Sequence, residues 1–208
     1  MRAGAGHETR DARERLPDEP VGARRLVGSL EPSDTRSPAD SERLFTIRVH
    51  VTGMRIALLG GTGDIGEGLA LRWAFHTDHG VVIGSRDAGR AAAKAEEYET
   101  ELSSRGLDRT VEGLSNHEAS ERADVVVAAV PPEYVAETVE SVGDALAGSL
   151  LVSPAVAMDF DASGAHYARP DAGSVTALAA AAAPEDVPVV GAFHNLAADR
   201  LANLDVEL

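Results

Sequence analysis

A glycine-rich turn set between an apolar run and a helical pattern constrains this chain more than any other feature. Met54-Arg-Ile-Ala-Leu-Leu-Gly-Gly-Thr-Gly-Asp-Ile-Gly-Glu-Gly-Leu reads as a buried strand that passes through Gly61-x-Gly63-x-x-Gly66 into a helix starting at Gly66. The spacing suits a dinucleotide site. The first glycine permits a tight turn, the second lets the backbone approach a pyrophosphate, and the third lets helix and strand pack closely. The pyrophosphate then rests on the helix N-terminus, where free N–H groups and the dipole favour negative charge.

The second constraint sits at the end of the next apolar run, Val81-Val82-Ile83-Gly84-Ser85-Arg86. In a dinucleotide fold this strand end reads the adenosine ribose, and NAD-binding chains usually place a carboxylate there to accept from the 2′-hydroxyl. Here it carries Ser85 and Arg86. A hydroxyl beside a guanidinium suits a 2′-phosphate, which arginine holds with paired, charge-assisted hydrogen bonds. Arg90, one helical turn later, is placed to add a third contact. The pattern favours NADP. Asp87 keeps NAD in view, and a strand-capping Arg86 with a solvated Arg90 is the structural alternative.

From Met54 onward, strands and helices alternate, the mark of a parallel sheet covered on both faces. The expected strands are 55–60, 80–85, 110–114, 123–130, 149–152 and 187–192. The expected helices are 66–75, 88–104, 118–121, 134–146 and 174–183. Asp87 reads as the N-cap of the second helix. Runs such as Val125-Val126-Val127-Ala128-Ala129-Val130 are continuous, as strands buried on both faces require. The fold class is α/β: a Rossmann-type, doubly wound parallel sheet in three αβα layers over residues 54–208. Cofactor binding belongs at the C-terminal ends of the strands, near Val130-Pro131-Pro132, Ser153-Pro154-Ala155-Val156 and Ala192-Phe193-His194-Asn195.

Residues 1–53 differ in kind. They hold nine acids and nine arginines, whereas residues 54–208 hold 25 acids against 10 basic residues. No sustained period precedes Leu44-Phe45-Thr46-Ile47, so the segment is expected to be disordered, or to be upstream sequence with Met54 as the true start. The net charge of −15 argues against nucleic-acid and anionic-membrane partners. Lys94 is the only lysine, which fits a salt-adapted cytoplasm or a GC-biased genome. There is no cysteine, so disulfides and thiol catalysis are excluded. No apolar run is long enough to span a membrane and no signal-peptide core is present, so a cytoplasmic protein is expected.

Taken together, the first two motifs, Val152-Ser153-Pro154 and the segment Phe193-His194-Asn195-Leu196-Ala197-Ala198-Asp199-Arg200-Leu201-Ala202-Asn203-Leu204 resemble the NADPH-dependent reductases of the deazaflavin coenzyme F-420. The likeness covers essentially all of 54–208 and none of 1–53. Pyrroline-carboxylate reductases and metalloreductases share the first two motifs; the last is more particular. The resemblance implies a Rossmann domain followed by a small C-terminal domain, with NADP as cofactor and F-420 as co-substrate. It also implies hydride transfer between nicotinamide C4 and deazaflavin C5, and a homodimer where the second domain is present. By motif, Thr62, Gly63, Asp64 and Ile65 line the pyrophosphate. Ser85, Arg86 and Arg90 hold the 2′-phosphate, Arg90 standing where the family usually has lysine. Val130, Pro132, Val156 and Ala198 line the nicotinamide, and His194 and Leu196 face the deazaflavin. Pro132 replaces a bulkier residue.

Direct hydride transfer needs two rings held at reactive distance in a dry site, with no nucleophile and no obligatory base. No Ser-His-Asp set or metal-ligand spacing is present, so no catalytic side chain is assigned. His194, just past a strand end, reads either as a site residue or as a structural histidine bonded to backbone. The family continues for some tens of residues past the last motif, so a fragment or a truncated form with an open deazaflavin pocket is expected. An NADP-dependent imine or ferric reductase, and an NADP-binding module without full catalysis, are the alternatives.

Overall fold

The computed structural model describes residues 53–206; the expectation for the segment preceding Gly53 lies outside them. The strands are β1 (Arg55–Leu59), β2 (Gly80–Ser85), β3 (Val111–Ser115), β4 (Val125–Ala128), β5 (Leu150–Ser153), β6 (Met158–Asp161), β7 (Gly164–Tyr167) and β8 (Val189–Gly191). The helices are α1 (Asp64–His76), α2 (Ala88–Ser104), α3 (Asn116–Glu121), α4 (Val135–Val142), α5 (Val175–Ala182) and α6 (Ala198–Ala202). Six strands form one all-parallel sheet in the order β3-β2-β1-β4-β5-β8. This is the doubly wound arrangement, and its order reverses between β1 and β4.

Alternation along the strands builds the three layers. In β1, Ile56 and Leu58 join one core with Leu69, Ala91, Tyr98 and Leu201 from α1, α2 and α6. Ala57 and Leu59 point the other way, to Ala119, Val139 and Val175 from α3, α4 and α5. Because both faces are covered, β4 is apolar at every position, and β1, β2 and β5 are nearly so.

Three expectations are corrected. First, the helix expected over 134–146 is broken. A 3-10 turn, Pro132–Tyr134, precedes α4, and a second, Gly143–Leu146, follows it. Gly143 sits at φ +39, outside right-handed helix geometry. Second, helices α1 and α3 start two residues earlier than expected, at Asp64 and Asn116, strands β1, β4 and β8 are shorter than expected, and β3 and β5 fall one residue later. Third, a hairpin absent from the sequence reading follows β5. Strands β6 and β7 pair antiparallel, Met158 opposite Tyr167 and Phe160 opposite Ala165.

Helix α6 is held on α1 by two residues one helical turn apart. Gly68 lets α6 approach so closely that an added Cβ would lie 2.5 Å from Leu201 Cβ. Arg72 donates to the carbonyls of Leu201, Val206, Arg200 and Asn203 at 3.2, 2.9, 2.9 and 2.6 Å. The last carbonyls of a helix have no internal partners, and a guanidinium supplies the missing donors.

Candidate functional site

The glycine loop divides its tasks differently from the sequence reading. The left-handed turn falls on Gly60, at φ +77, and not on Gly61. Gly61 is a packing position: an added Cβ would lie 2.7 Å from Ile83 Cβ. Its carbonyl accepts a 2.8 Å hydrogen bond from the Tyr98 hydroxyl of α2, so a buried phenol braces the loop from below. At Gly66 an added Cβ would meet Gly60 O and Gly61 Cα at 2.6 Å, the close helix–loop packing expected of the third glycine. At Gly63 the nearest atom would be 3.6 Å away, which leaves open space above the loop.

The N-terminus of α1 is left available. Asp87, Ser115 and Ser174 cap α2, α3 and α5 with side-chain oxygens, but Gly63 gives α1 no such cap. Uncapped N–H groups at a helix start form a ready anion site. The lone lysine, Lys94 of α2, joins its helix to α1 through Glu67 at 3.1 Å and also pairs with Glu97 of its own helix at 2.8 Å. The Glu97 hydrogen bond raises its pKa, and burial opposes this.

Two cavities meet over this loop. One, of about 500 Å3, is lined by Thr62, Gly63, Ser85, Arg86, Arg90, Asn116, Val130 and Tyr134, among others. The other, of about 400 Å3, is lined by Gly63, Asp64, Ile65, Val130, Pro132, Val156, His194 and Leu196, among others. They share Gly63, Ala129, Val130 and Pro131, so one cleft crosses the sheet at its switch point. Of the expected residues, Gly61 and Gly66 lie beneath the loop, and Ala198 opens α6 and lines neither cavity. The others are brought into the cleft.

Asp87 caps the helix with one oxygen and also lines the adenosine-side cavity. Its Oδ1 accepts from the Arg90 N–H at 3.1 Å, and its own N–H donates to Ser85 Oγ at 3.2 Å. That hydrogen bonding draws its carboxylate toward the α2 cap, while Arg86 and Arg90 are exposed at the cleft.

His194 is both a cleft residue and a backbone-bonded one. Its Nε2 lies 3.0 Å from the Ser153 carbonyl. A carbonyl only accepts, so Nε2 carries the hydrogen. The ring nests against Gly191, where an added Cβ would sit 2.6 Å from His194 Cε1. The preceding Phe193 takes φ +66, a strained conformation for a bulky residue, and packs edge-on against Trp73 at 5.7 Å.

Sequence reasoning missed Tyr98, Asn116 and Tyr134. The first lay within reach, because Ala91, Ala95, Tyr98 and Leu102 mark one buried helical face. Asn116 follows the Ser115–Glu118 capping box, a readable helix start.

With this geometry in hand, the comparisons are specific. Residues 55–157 match the family model described as NADP oxidoreductase, coenzyme F420-dependent. The F420-dependent NADP reductase of Methanocaldococcus jannaschii is 37% identical over 155 residues, covering 73% of this chain and 68% of that protein. The reductase of the same name from Methanothermobacter marburgensis is 37% identical over 154 residues, covering 73% and 67%. A solved structure from Arthrobacter sp. FB24, described as a candidate F420-dependent NADP-reductase, superposes with TM-score 0.57 at 26% identity, covering 71% of this chain and 65% of that one. The malate dehydrogenase of Salinibacter ruber, at 20% identity and TM-score 0.50, shares the fold alone. The chain spans about two thirds of the length of the three reductases. A Rossmann sheet, an uncapped glycine loop and this degree of identity lead to one conclusion: the chain belongs to the F420-dependent NADP oxidoreductase family.

Proposed function

We propose that this protein transfers a hydride between NADP(H) and the 5-deazaflavin coenzyme F-420. The observation that carries the reading is the continuous cleft with chemically different halves. One half offers Ser85, Arg86 and Arg90; the other offers Val130, Pro132, Val156, His194 and Leu196. The first suits a phosphorylated adenosine, the second a pair of flat rings.

Residues 54–208 form the dinucleotide-binding domain in this reading. The first-turn N–H groups of α1 hold the pyrophosphate over the space left by Gly63. Ser85, Arg86 and Arg90 bind the 2′-phosphate, and the capping role of Asp87 favours NADP over NAD. When bound, the two rings supply hydride donor and acceptor themselves. Val130, Pro132 and Val156 keep water from the nicotinamide side. His194, fixed by its bond to Ser153, orients the deazaflavin side together with Leu196. No side chain is required to carry a proton to the reacting carbons.

Mixing the protein with reduced F-420 and NADP, and following the deazaflavin absorbance, tests this. Oxidation of the deazaflavin with matching NADPH formation is expected. Tight NADP binding with no turnover reduces the reading to a dinucleotide-binding module. Turnover of an imine or ferric substrate in place of F-420 overturns it.

A further inference from the structure

One side chain lining the cleft carries a buried polar atom with no partner and has no assigned role. Asn116 directly follows Ser115, the register partner of Ser85, so it stands beside Arg86 at the C-terminal edge of the sheet. It lines the adenosine-side cavity. Its Oδ1 is buried and unpaired, packed where an added Cβ on Gly84 would lie 2.8 Å away. Among the described residues its carboxamide makes no hydrogen bond at either end. With Oδ1 sealed against Gly84, the unbonded amide N–H groups are the end of the carboxamide left for a ligand in the cavity.

The layers of the fold indicate which partner. Arg90 belongs to α2, on the sheet face that carries Ala91 and Ala95 in its core. Asn116 opens α3, on the opposite face, whose core holds Ala119, Val135 and Val139. The phosphate grip thus reaches over one face, while Asn116 shares the other with α4. On that side Pro131 and Tyr134 line the cavity together with Glu137, Thr138 and Ser141 of α4, an aromatic ring beside polar groups that suits a flat, hydrogen-bonding base. A carboxamide adds in-plane hydrogen-bonding capacity of the kind a purine edge can use.

We propose that Asn116 is a specificity-determining residue for the adenosine end of the cleft, its carboxamide hydrogen-bonding the purine base and not the 2′-phosphate. The inference rests on reading the cleft as a dinucleotide site.

The test titrates the full chain and its Asn116→Ala variant with NADP and with NAD, and melts both proteins without ligand. Both dinucleotides should weaken by the same factor, about five- to tenfold for one hydrogen bond. The ligand-free melting temperature should hold or rise, because an unpaired buried oxygen has been removed. Should the alanine leave a destabilising hole, Asn116→Leu keeps the volume without hydrogen-bonding atoms and should show the same affinity losses. Arg86→Ala, in contrast, should weaken NADP alone. Loss of NADP affinity alone in the Asn116 variants would assign the residue to the phosphate and overturn the proposal. Unchanged affinities, with wild type binding normally, overturn it too and leave the reading of the cleft intact. A wild-type chain that binds neither dinucleotide overturns both.

Discussion

Tyr98→Phe removes one oxygen and almost nothing else. The ring is 2% exposed, and its hydroxyl donates to the Gly61 carbonyl at 2.8 Å. Phenylalanine fills the same space, so the substitution isolates that bond. The carbonyl is left buried and unpaired, which costs about 1–3 kcal/mol. In a chain of this size each kcal/mol shifts the melting temperature by about 2–4 °C. A fall of roughly 2–12 °C is therefore expected by calorimetry. The effect carries a pH signature. Burial, and then the charges of Glu67 and Glu97, hold the phenol pKa of Tyr98 far above its ordinary value. The folded protein keeps that proton where the unfolded chain releases it. The contribution is thus complete below the ordinary tyrosine pKa of about 10 and is lost as pH rises from there. The gap between wild type and Tyr98→Phe should narrow above that pH, since only wild type carries the titrating group. Affinity for NADP should also weaken several-fold, because the loop loses its brace. Equal melting temperatures within about 1 °C, with a gap independent of pH, would refute the reasoning.

Other outcomes follow from the same geometry. Gly66→Ala places a methyl 2.6 Å from backbone on two residues and should destabilise the fold by about 1–3 kcal/mol. Gly63→Ala meets nothing closer than 3.6 Å, so its melt should match wild type while NADP titration shows lost affinity. Arg86→Ala should weaken NADP about tenfold to a hundredfold, the scale of hydrogen bonds to a charged group, and leave NAD unchanged in parallel titrations. Hydrogen bonds from the Ser115 hydroxyl and backbone hold the Glu118 pKa below its ordinary value. The capping box should therefore persist as pH falls through the usual carboxylate range and open only below it. Ser115→Ala should raise the Glu118 pKa toward the ordinary range in an NMR titration, the backbone hydrogen bond remaining.

The sequence carried the sheet well because its signals are local. Helix α2 fell at 88–104 as expected, since Asp87 supplies a cap oxygen and the apolar positions keep a helical period. The 80–85 strand was equally clear. The hairpin was not: its strands have four residues each and are exposed throughout, so no buried face marked them. The break at Gly143 depends on a backbone angle that a glycine permits but does not announce. In the cleft, Ser85 and Arg86 were legible because they end a strand. The roles of Tyr98 and Asn116 were not, because each depends on a neighbour far away in sequence, Gly61 for one and Gly84 for the other. The turn assigned to Gly61 slipped by one residue, since adjacent glycines leave the position of the left-handed angle open.

Helix α1 has a consequence for how the cleft breathes. Its first turn forms the glycine-loop edge, while Gly68 and Arg72 fasten α6 along its flank. Trp73 of the same helix supports Phe193, next to His194. The loop and the His194 side of the cleft are therefore fastened to a single strut. The opposite bank, Pro131, Pro132 and the 3-10 turn before α4, is closed by local bonds of its own, from the Tyr134 N–H to the Pro131 carbonyl and from the Val135 N–H to the Pro132 carbonyl. Amide exchange in ligand-free protein should be slow across α1 and faster at Glu133, since Pro131 and Pro132 carry no amide hydrogen and the Tyr134 N–H is bonded to the Pro131 carbonyl, and NADP should slow Glu133 most.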